Sequence, residues 1–79
     1  MTLDDLPLGV RATVASVDWA AVGERDARRL RELGVDEGVS VEPMHAAGWF
    51  ARDPIAVRIG RMTIAMRRRH AAVIRVTPL

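Results

Sequence analysis

Short runs in which apolar and polar residues alternate predict five β-strands. A period of two gives each strand one apolar face and one polar face. The first two strands are expected over 10–18 and 39–44, and Pro54 opens the third. The fourth follows a turn at Gly60-Arg61, and the fifth runs to Pro78, which stops pairing. The inward positions are expected to be Val10, Ala12, Val14, Val39, Val41, Ile55, Val57, Ile59, Met62, Ile64, Met66, Ala71, Ile74 and Val76, of which Val14, Val41, Val57, Ile59, Ile64 and Ile74 should be buried together.

The segment between the first two strands has the spacing of a helix over 23–33. Its narrow apolar stripe recurs every three residues, at Ala27, Leu30 and Leu33. Gly34 stands where a helix commonly ends in a left-handed residue, and Val35 can then fold back on Leu30. So short a helix is not stable alone, so it must pack on the strands. If Leu30 seals that contact, Leu30→Ala should cost about 2–5 kcal/mol.

Five short strands with one apolar face each favour closure into a small barrel, because closure removes most exposed strand edges. Turns are expected at 36–38 and at Gly60-Arg61, where glycine in first position is typical of a type II′ hairpin. The segment 67–72 has room for one helical turn. The predicted fold is mainly β, a five-stranded SH3-like barrel with one short α-helix. A chain of 79 residues is expected to be a single domain over 1–79.

Composition narrows the function classes. All twelve basic residues are arginine, ten residues are acidic and the net charge is +2, so the charge alone does not indicate a nucleic-acid partner. The chain has no cysteine, which excludes a disulfide framework, a thiolate metal site and a thiol nucleophile. The longest uncharged run, 43–51, is far shorter than the roughly 20 residues that span a bilayer. With no signal-peptide pattern at the N-terminus, a cytoplasmic location is expected.

The polar residues form no recognisable catalytic motif. The candidate nucleophiles and bases are Thr13, Ser16, Ser40, His45, Thr63 and His70, and no two of them fall within a known spacing. The chain also lacks a glycine-rich phosphate loop. We therefore expect no enzyme, no catalytic residue and no cofactor.

Individual residues suggest two alternatives to a protein-binding function. The first is a small iron-binding chaperone, in which His45, His70 and Asp53 would hold ferrous iron. A tight site normally needs three or four ligands, and too few are in reach along the sequence. The second alternative is a nucleic-acid-binding barrel that uses an arginine patch, since arginine forks suit phosphates. The patch would comprise 67–69 with Arg58, Arg61 and Arg75; the ten acidic residues dilute its field, so no nucleic acid is expected.

The loop 45–53 contains two adjacent aromatic residues beside Gly48, namely Trp49 and Phe50. Both cannot easily turn inward, and tryptophan is enriched at interaction hot spots. We expect a partner-binding surface made by the short helix and this loop, with Leu30, Arg31, Trp49 and Phe50. The narrow stripe should leave part of Leu30 reachable. Such an exposed apolar patch would also favour weak self-association.

Four stretches of the chain together resemble the FeoA family of bacterial ferrous-iron transport proteins. They follow the family's order and spacing over nearly the whole chain. The first stretch is 3–9, and the second is 29–35 followed by Gly38. The third is 53–59, and the fourth is 64–68 followed by Ala71, Ile74 and Val76. The sequence departs from the family at Leu8-Gly9 and Glu37-Gly38, where Pro-Gly is common, and at Met66, where leucine is usual. These changes suit the same turns and a similar volume.

The resemblance implies an SH3-like fold and a cytosolic role beside the ferrous-iron permease FeoB. That partner is a membrane protein with a cytosolic G-protein domain, so the chain would meet the membrane only through it. Similar domains also end iron-dependent repressors. Because no helix-turn-helix segment precedes the barrel here, the resemblance favours the transport role, with association as the implied mechanism.

Overall fold

The computed structural model describes residues 1–46 and 53–79, and five of their segments form one antiparallel sheet in the order β4-β3-β2-β1-β5. The strands are β1 (Ala12–Val17), β2 (Ser40–Ala46), β3 (Ile55–Ile59), β4 (Met62–Met66) and β5 (Ile74–Pro78). The five predicted strands are confirmed. β2 continues past its predicted end, and β5 includes Pro78, which pairs with Ala12.

Within residues 1–46 and 53–79, three short α-helices and a 3₁₀ turn accompany the strands, where one α-helix and one helical turn were predicted. The 3₁₀ turn is Leu3–Asp5, and the helices are α1 (Trp19–Val22), α2 (Glu24–Glu32) and α3 (Arg68–Ala71). α2 is the predicted helix, and α3 occupies the segment expected to hold a helical turn. α1 was not predicted. Asp18 starts this separate turn, and its Oδ1 accepts a hydrogen bond from the Ala21 N–H at 3.3 Å.

The predicted glycine ending of α2 is confirmed. Gly34 has φ +101°, and its N–H donates to the Arg31 carbonyl at 3.0 Å. The Val35 N–H donates to the Leu30 carbonyl, also at 3.0 Å. These two bonds define a Schellman motif, which satisfies carbonyls that a helix end would leave unpaired. Val35 is fully buried, so the motif also fixes the chain's return to the sheet.

The core is aliphatic, as predicted. All six residues expected to be buried together are buried in one cluster, namely Val14, Val41, Val57, Ile59, Ile64 and Ile74. Two inward predictions are wrong: Met62 is 50% exposed and Val10 is 37% exposed. Val10 precedes β1, so strand alternation does not orient it. Met62 opens β4 beside the turn, at the end of the sheet, where no further strand covers it among the described residues.

The two ends of the sheet differ in how their edges are covered. Beyond β5, the N-terminal segment pairs with the sheet, since Thr2 forms a bridge with Arg75 and the Val76 N–H donates to the Met1 carbonyl at 3.0 Å. β4 forms the other end and pairs only with β3 within the part of the chain that the structure describes. Among the described residues, the β5 edge of the barrel is therefore covered and the β4 edge is open.

Candidate functional site

The first candidate surface centres on Trp19. The Arg31 guanidinium lies over the Trp19 ring, 4.3 Å from its centroid. The cap from Asp18 fixes α1 and therefore Trp19, and Gly23, at φ +94°, lets the chain turn directly into α2. A cation over an indole face is an attractive pair. The two short helices thus present a preformed aromatic and cationic surface.

A shallow groove of about 500 Å³ surrounds this pair. We call it the Trp19 surface, lined by Trp19, Glu24, Ala27, Arg28, Arg31 and Glu32. Trp19 is half-buried and Arg31 exposed, so the indole is supported by the core and still reachable. Tryptophan and arginine are the side chains most enriched at interface hot spots. Trp19 was not among the predicted contact residues, although Asp18 directly before it is a residue type that commonly caps a helix.

Of the residues predicted to bind a partner, the structure leaves only Arg31 accessible among those it describes. Leu30 is 5% exposed, so the expectation that part of it would be reachable is wrong. Leu30 and Ala27 are both buried in the core cluster, so the apolar stripe of α2 is covered at these two positions. Trp49 and Phe50 lie outside the described residues.

The far end of the 45–53 loop contacts α3 and the residue before it. Asp53 Oδ1 accepts a hydrogen bond from the Arg68 N–H at 3.1 Å and lies 4.0 Å from Arg67 Nη1. This contact links the start of β3 to the start of α3. The described contacts of Arg31 are with Trp19 instead, so they do not join Arg31 to this loop.

The predicted metal ligands are not assembled into a cluster. His45 is exposed on β2, opposite Ala56 of β3. Asp53 instead contacts the Arg68 N–H and the Arg67 guanidinium. His70 lies against Asp26, with 3.5 Å between Nε2 and Oδ2. Within residues 1–46 and 53–79 no three histidine, aspartate or glutamate residues come together as a metal site.

An acidic turn at the N-terminus is held by internal hydrogen bonds. The Thr2 hydroxyl donates to Asp5 Oδ2 at 2.9 Å and the Thr2 N–H donates to the same oxygen at 3.4 Å. The hydroxyl bond first, and the backbone bond second, hold the pKa of Asp5 below its usual range. The Thr2 hydroxyl also lies within hydrogen-bonding reach of Asp4. The Asp5 carboxylate therefore caps the 3₁₀ turn.

A second candidate surface runs along β4, and we call it the β4 groove. Two adjoining pockets share Leu33 and meet β4 at its two ends. The apolar side chains that line the groove are Leu30, Leu33, Val39, Ile59, Met62, Ala65 and Met66. Four exposed arginines stand around it, Arg29, Arg61, Arg67 and Arg69. The acidic residue that lines it, among those described, is Asp26, which faces His70.

The arginines of the predicted basic patch do not all share one surface. Arg58 lies on β3 and Arg75 on β5, and β2 and β1 stand between these strands in the sheet. Strands are about 4.8 Å apart, so β3 and β5 are separated by about 14 Å across the sheet, and the two arginines are also offset along the strands. An acidic neighbour also stands close to Arg58, since Glu42 lies directly opposite it. The arginines at 67–69 and Arg61 remain grouped with β4.

No helix in the described part of the chain is long and apolar enough to cross a membrane.

Comparison with known proteins gives a consistent result. The sequence model of the FeoA domain matches residues 1–78. The solution structure of the FeoA protein from Chlorobium tepidum is 37% identical, with a TM-score of 0.86 over all of this chain and 70% of that one. The zinc-complexed FeoA of Stenotrophomonas maltophilia is 36% identical, with a TM-score of 0.80 over 98% of this chain and 89% of that one. The latter is described as a prokaryotic SH3 domain protein, so the predicted SH3-like fold is confirmed.

A manganese-dependent transcriptional repressor shares the fold. It is 24% identical, with a TM-score of 0.83 over all of this chain and 41% of the repressor. At that identity the likeness concerns the fold alone. A search of curated proteins found no match.

Proposed function

This chain belongs to the FeoA family, and from that premise we propose that it is a cytoplasmic accessory protein of ferrous-iron uptake that works by binding the permease FeoB. The observation that carries the proposal is the match of the FeoA domain over residues 1–78, which covers nearly the whole chain. The Stenotrophomonas relative, 36% identical, is itself described as possibly acting as a ferrous iron transport activating factor. That description concerns a protein of the same fold and nearly the same extent.

The Trp19 surface supports binding as the mode of action. Its indole is anchored in the core while its face carries the Arg31 guanidinium at 4.3 Å. A stacked guanidinium loses little freedom on binding and keeps donors free for an acidic partner. Arg31 therefore remains in the proposed partner surface, with Trp19 beside it. Trp49 and Phe50 remain proposed contacts, whereas Leu30 is buried and borders the β4 groove instead.

The geometry does not favour the alternatives. An iron-binding chaperone that used His45 and Asp53 would have to release Asp53 from the Arg68 amide and from Arg67. A nucleic-acid-binding barrel would need a continuous basic track, whereas Arg58 and Arg75 lie on separate strands. We also propose that the chain has no catalytic activity of its own, in keeping with its lack of a phosphate loop.

The test is a pull-down of the full-length permease, in detergent, by immobilised chain. Trp19→Ala and Arg31→Glu should each reduce the permease retained by about tenfold or more, as removal of a hot-spot side chain does. The matched control is Arg25→Glu, an exposed charge reversal on the same helix that lies outside the Trp19 surface. It should leave retention unchanged.

Each variant is first shown to be folded by thermal unfolding. If wild-type chain retains the permease and both Trp19→Ala and Arg31→Glu do so equally well, the Trp19 surface is the wrong site. If folded wild-type chain retains no permease, the partner itself is wrong.

A further inference from the structure

The open edge of β4 has backbone groups that no described residue pairs with. Gly60-Arg61 forms a two-residue turn, so the closing pair of the hairpin is Ile59 with Met62. The closing pair of such a turn exchanges both backbone hydrogen bonds, and hydrogen-bonded pairs then alternate along the ladder. Met62, Ile64 and Met66 therefore bond to β3. Thr63 and Ala65 turn their N–H and C=O groups outward.

This edge forms one wall of the β4 groove. The opposite wall is the face of α2 that contains Leu30 and Leu33. At the start of β4, the groove is lined by Val39 and Met62. Met62 is 50% exposed although it is apolar. A strand of five residues is about 17 Å long. The groove is thus a slot that meets both ends of the strand, with apolar and charged side chains in its lining and the free hydrogen-bonding groups along the strand edge.

The arginines around the β4 groove limit which protein segments can bind there. Arg61 stands at the start of β4, and Arg67 and Arg69 follow its end, while Arg29 projects from α2. A second copy that added its own β4 here would bring these arginines against one another, and like charges across a strand pair are destabilising. The arginines therefore oppose self-pairing at the edge. An acidic strand would meet the opposite sign at both ends.

We propose that the β4 groove binds an extended acidic segment of another protein, which adds to the sheet as a strand beside β4. The main-chain groups of Thr63 and Ala65 bond to the incoming segment, as in other cases of strand addition. Alternate side chains of that segment pack on Leu33 and Met62, and its acidic residues face the arginines. This proposal does not depend on the Trp19 surface, which lies on another face of α2.

Amide hydrogen exchange measured by NMR tests the proposal on the intact chain. The probe is a synthetic peptide, blocked at both ends, that alternates valine with glutamate over the length of β4. Its addition should slow exchange of the Thr63 and Ala65 amides by about tenfold, because these N–H groups gain partners. The amides of Met62 and Ile64 already bond to β3 and should change little.

Three comparisons decide between strand addition and plain charge attraction. The same peptide with N-methyl groups at alternate residues cannot complete the ladder and should not protect Thr63 or Ala65. Exchanging its glutamates for lysines should abolish binding. The double variant Arg67→Glu, Arg69→Glu should weaken binding, whereas Arg75→Glu, on the opposite end of the sheet, should not.

The proposal is overturned if the glutamate peptide leaves Thr63 and Ala65 unprotected at saturating concentration, or if the N-methylated peptide binds equally well. It is also overturned if a single-stranded oligonucleotide of equal charge protects those amides and the peptide does not. Ala65→Pro removes one outward N–H at an edge position where proline is tolerated. If that variant is folded, it should bind the peptide less tightly than wild type.

Discussion

Replacing Leu30 with alanine should destabilise the domain, and the structure gives the size of the effect. Leu30 is 5% exposed and lies on the face of α2 that packs into the core cluster. Buried leucine-to-alanine changes cost about 2–5 kcal/mol, and the cost falls where the surroundings can close over the cavity. Leu30 borders the β4 groove, whose arginine stems can move inward. We therefore expect the lower half of that range, about 2–3 kcal/mol.

This loss is large for so small a domain. Domains are stabilised by about 0.05–0.15 kcal/mol per residue, which gives about 4–12 kcal/mol here. One kcal/mol corresponds to about 4–8 °C in the melting temperature of a domain of this size, so Leu30→Ala should lower it by about 10–20 °C. Urea unfolding followed by far-UV circular dichroism measures the free energy directly. The midpoint should fall with little change in slope.

Arg25→Ala is the matched control, because it is an exposed change on the same helix. It should stay within about 0.5 kcal/mol of wild type. If Leu30→Ala costs less than about 1 kcal/mol, Leu30 does not seal α2 to the sheet. The burial of Leu30 would then no longer be a reason to exclude Leu30 from the partner surface.

Three further predictions follow from single features. Gly34→Ala should cost about 1–2 kcal/mol in urea unfolding, because φ is +101° there and the new Cβ would meet only an ordinary contact at 3.7 Å from Ile59; no loss would refute the glycine requirement. Because the folded pKa of Asp5 is lowered, its stabilisation is present above about pH 3.9 and lost as pH falls through the folded pKa. The melting temperature of Asp5→Asn should thus lie below wild type at pH 7 and approach it at low pH, whereas an equal gap at both would contradict the capping role. Purified chain should hydrolyse neither GTP nor ATP in a phosphate-release assay, and turnover that persists through purification to homogeneity would contradict this.

Local patterns in the sequence were enough to predict the strands and the end of α2. The period of two identified Val57, Ile59 and Ile64 as core residues because a strand has only two faces. Gly34 revealed the Schellman ending because few other residues adopt a positive φ at low cost. Both features depend on neighbours within a few positions of the chain.

The surfaces depend on long-range packing, so the sequence predicted them less well. α1 is too short for a periodic signal, and Trp19 was overlooked for that reason. The burial of Leu30 depends on core residues that are distant in the sequence, and the spacing of the stripe alone does not show how deeply it is buried. The β4 groove exists because β4 ends the sheet, and strand order cannot be read from the alternation of residues.

The measurement closest to the central claim is a titration of wild-type chain into purified full-length permease in detergent, followed by calorimetry. We expect saturable binding with a defined stoichiometry. Binding should weaken when the Arg31→Glu variant replaces wild type and should not change when the Arg25→Glu variant does. Absence of saturable binding between the folded chain and the permease would contradict the proposal that this member of the FeoA family acts by association with it.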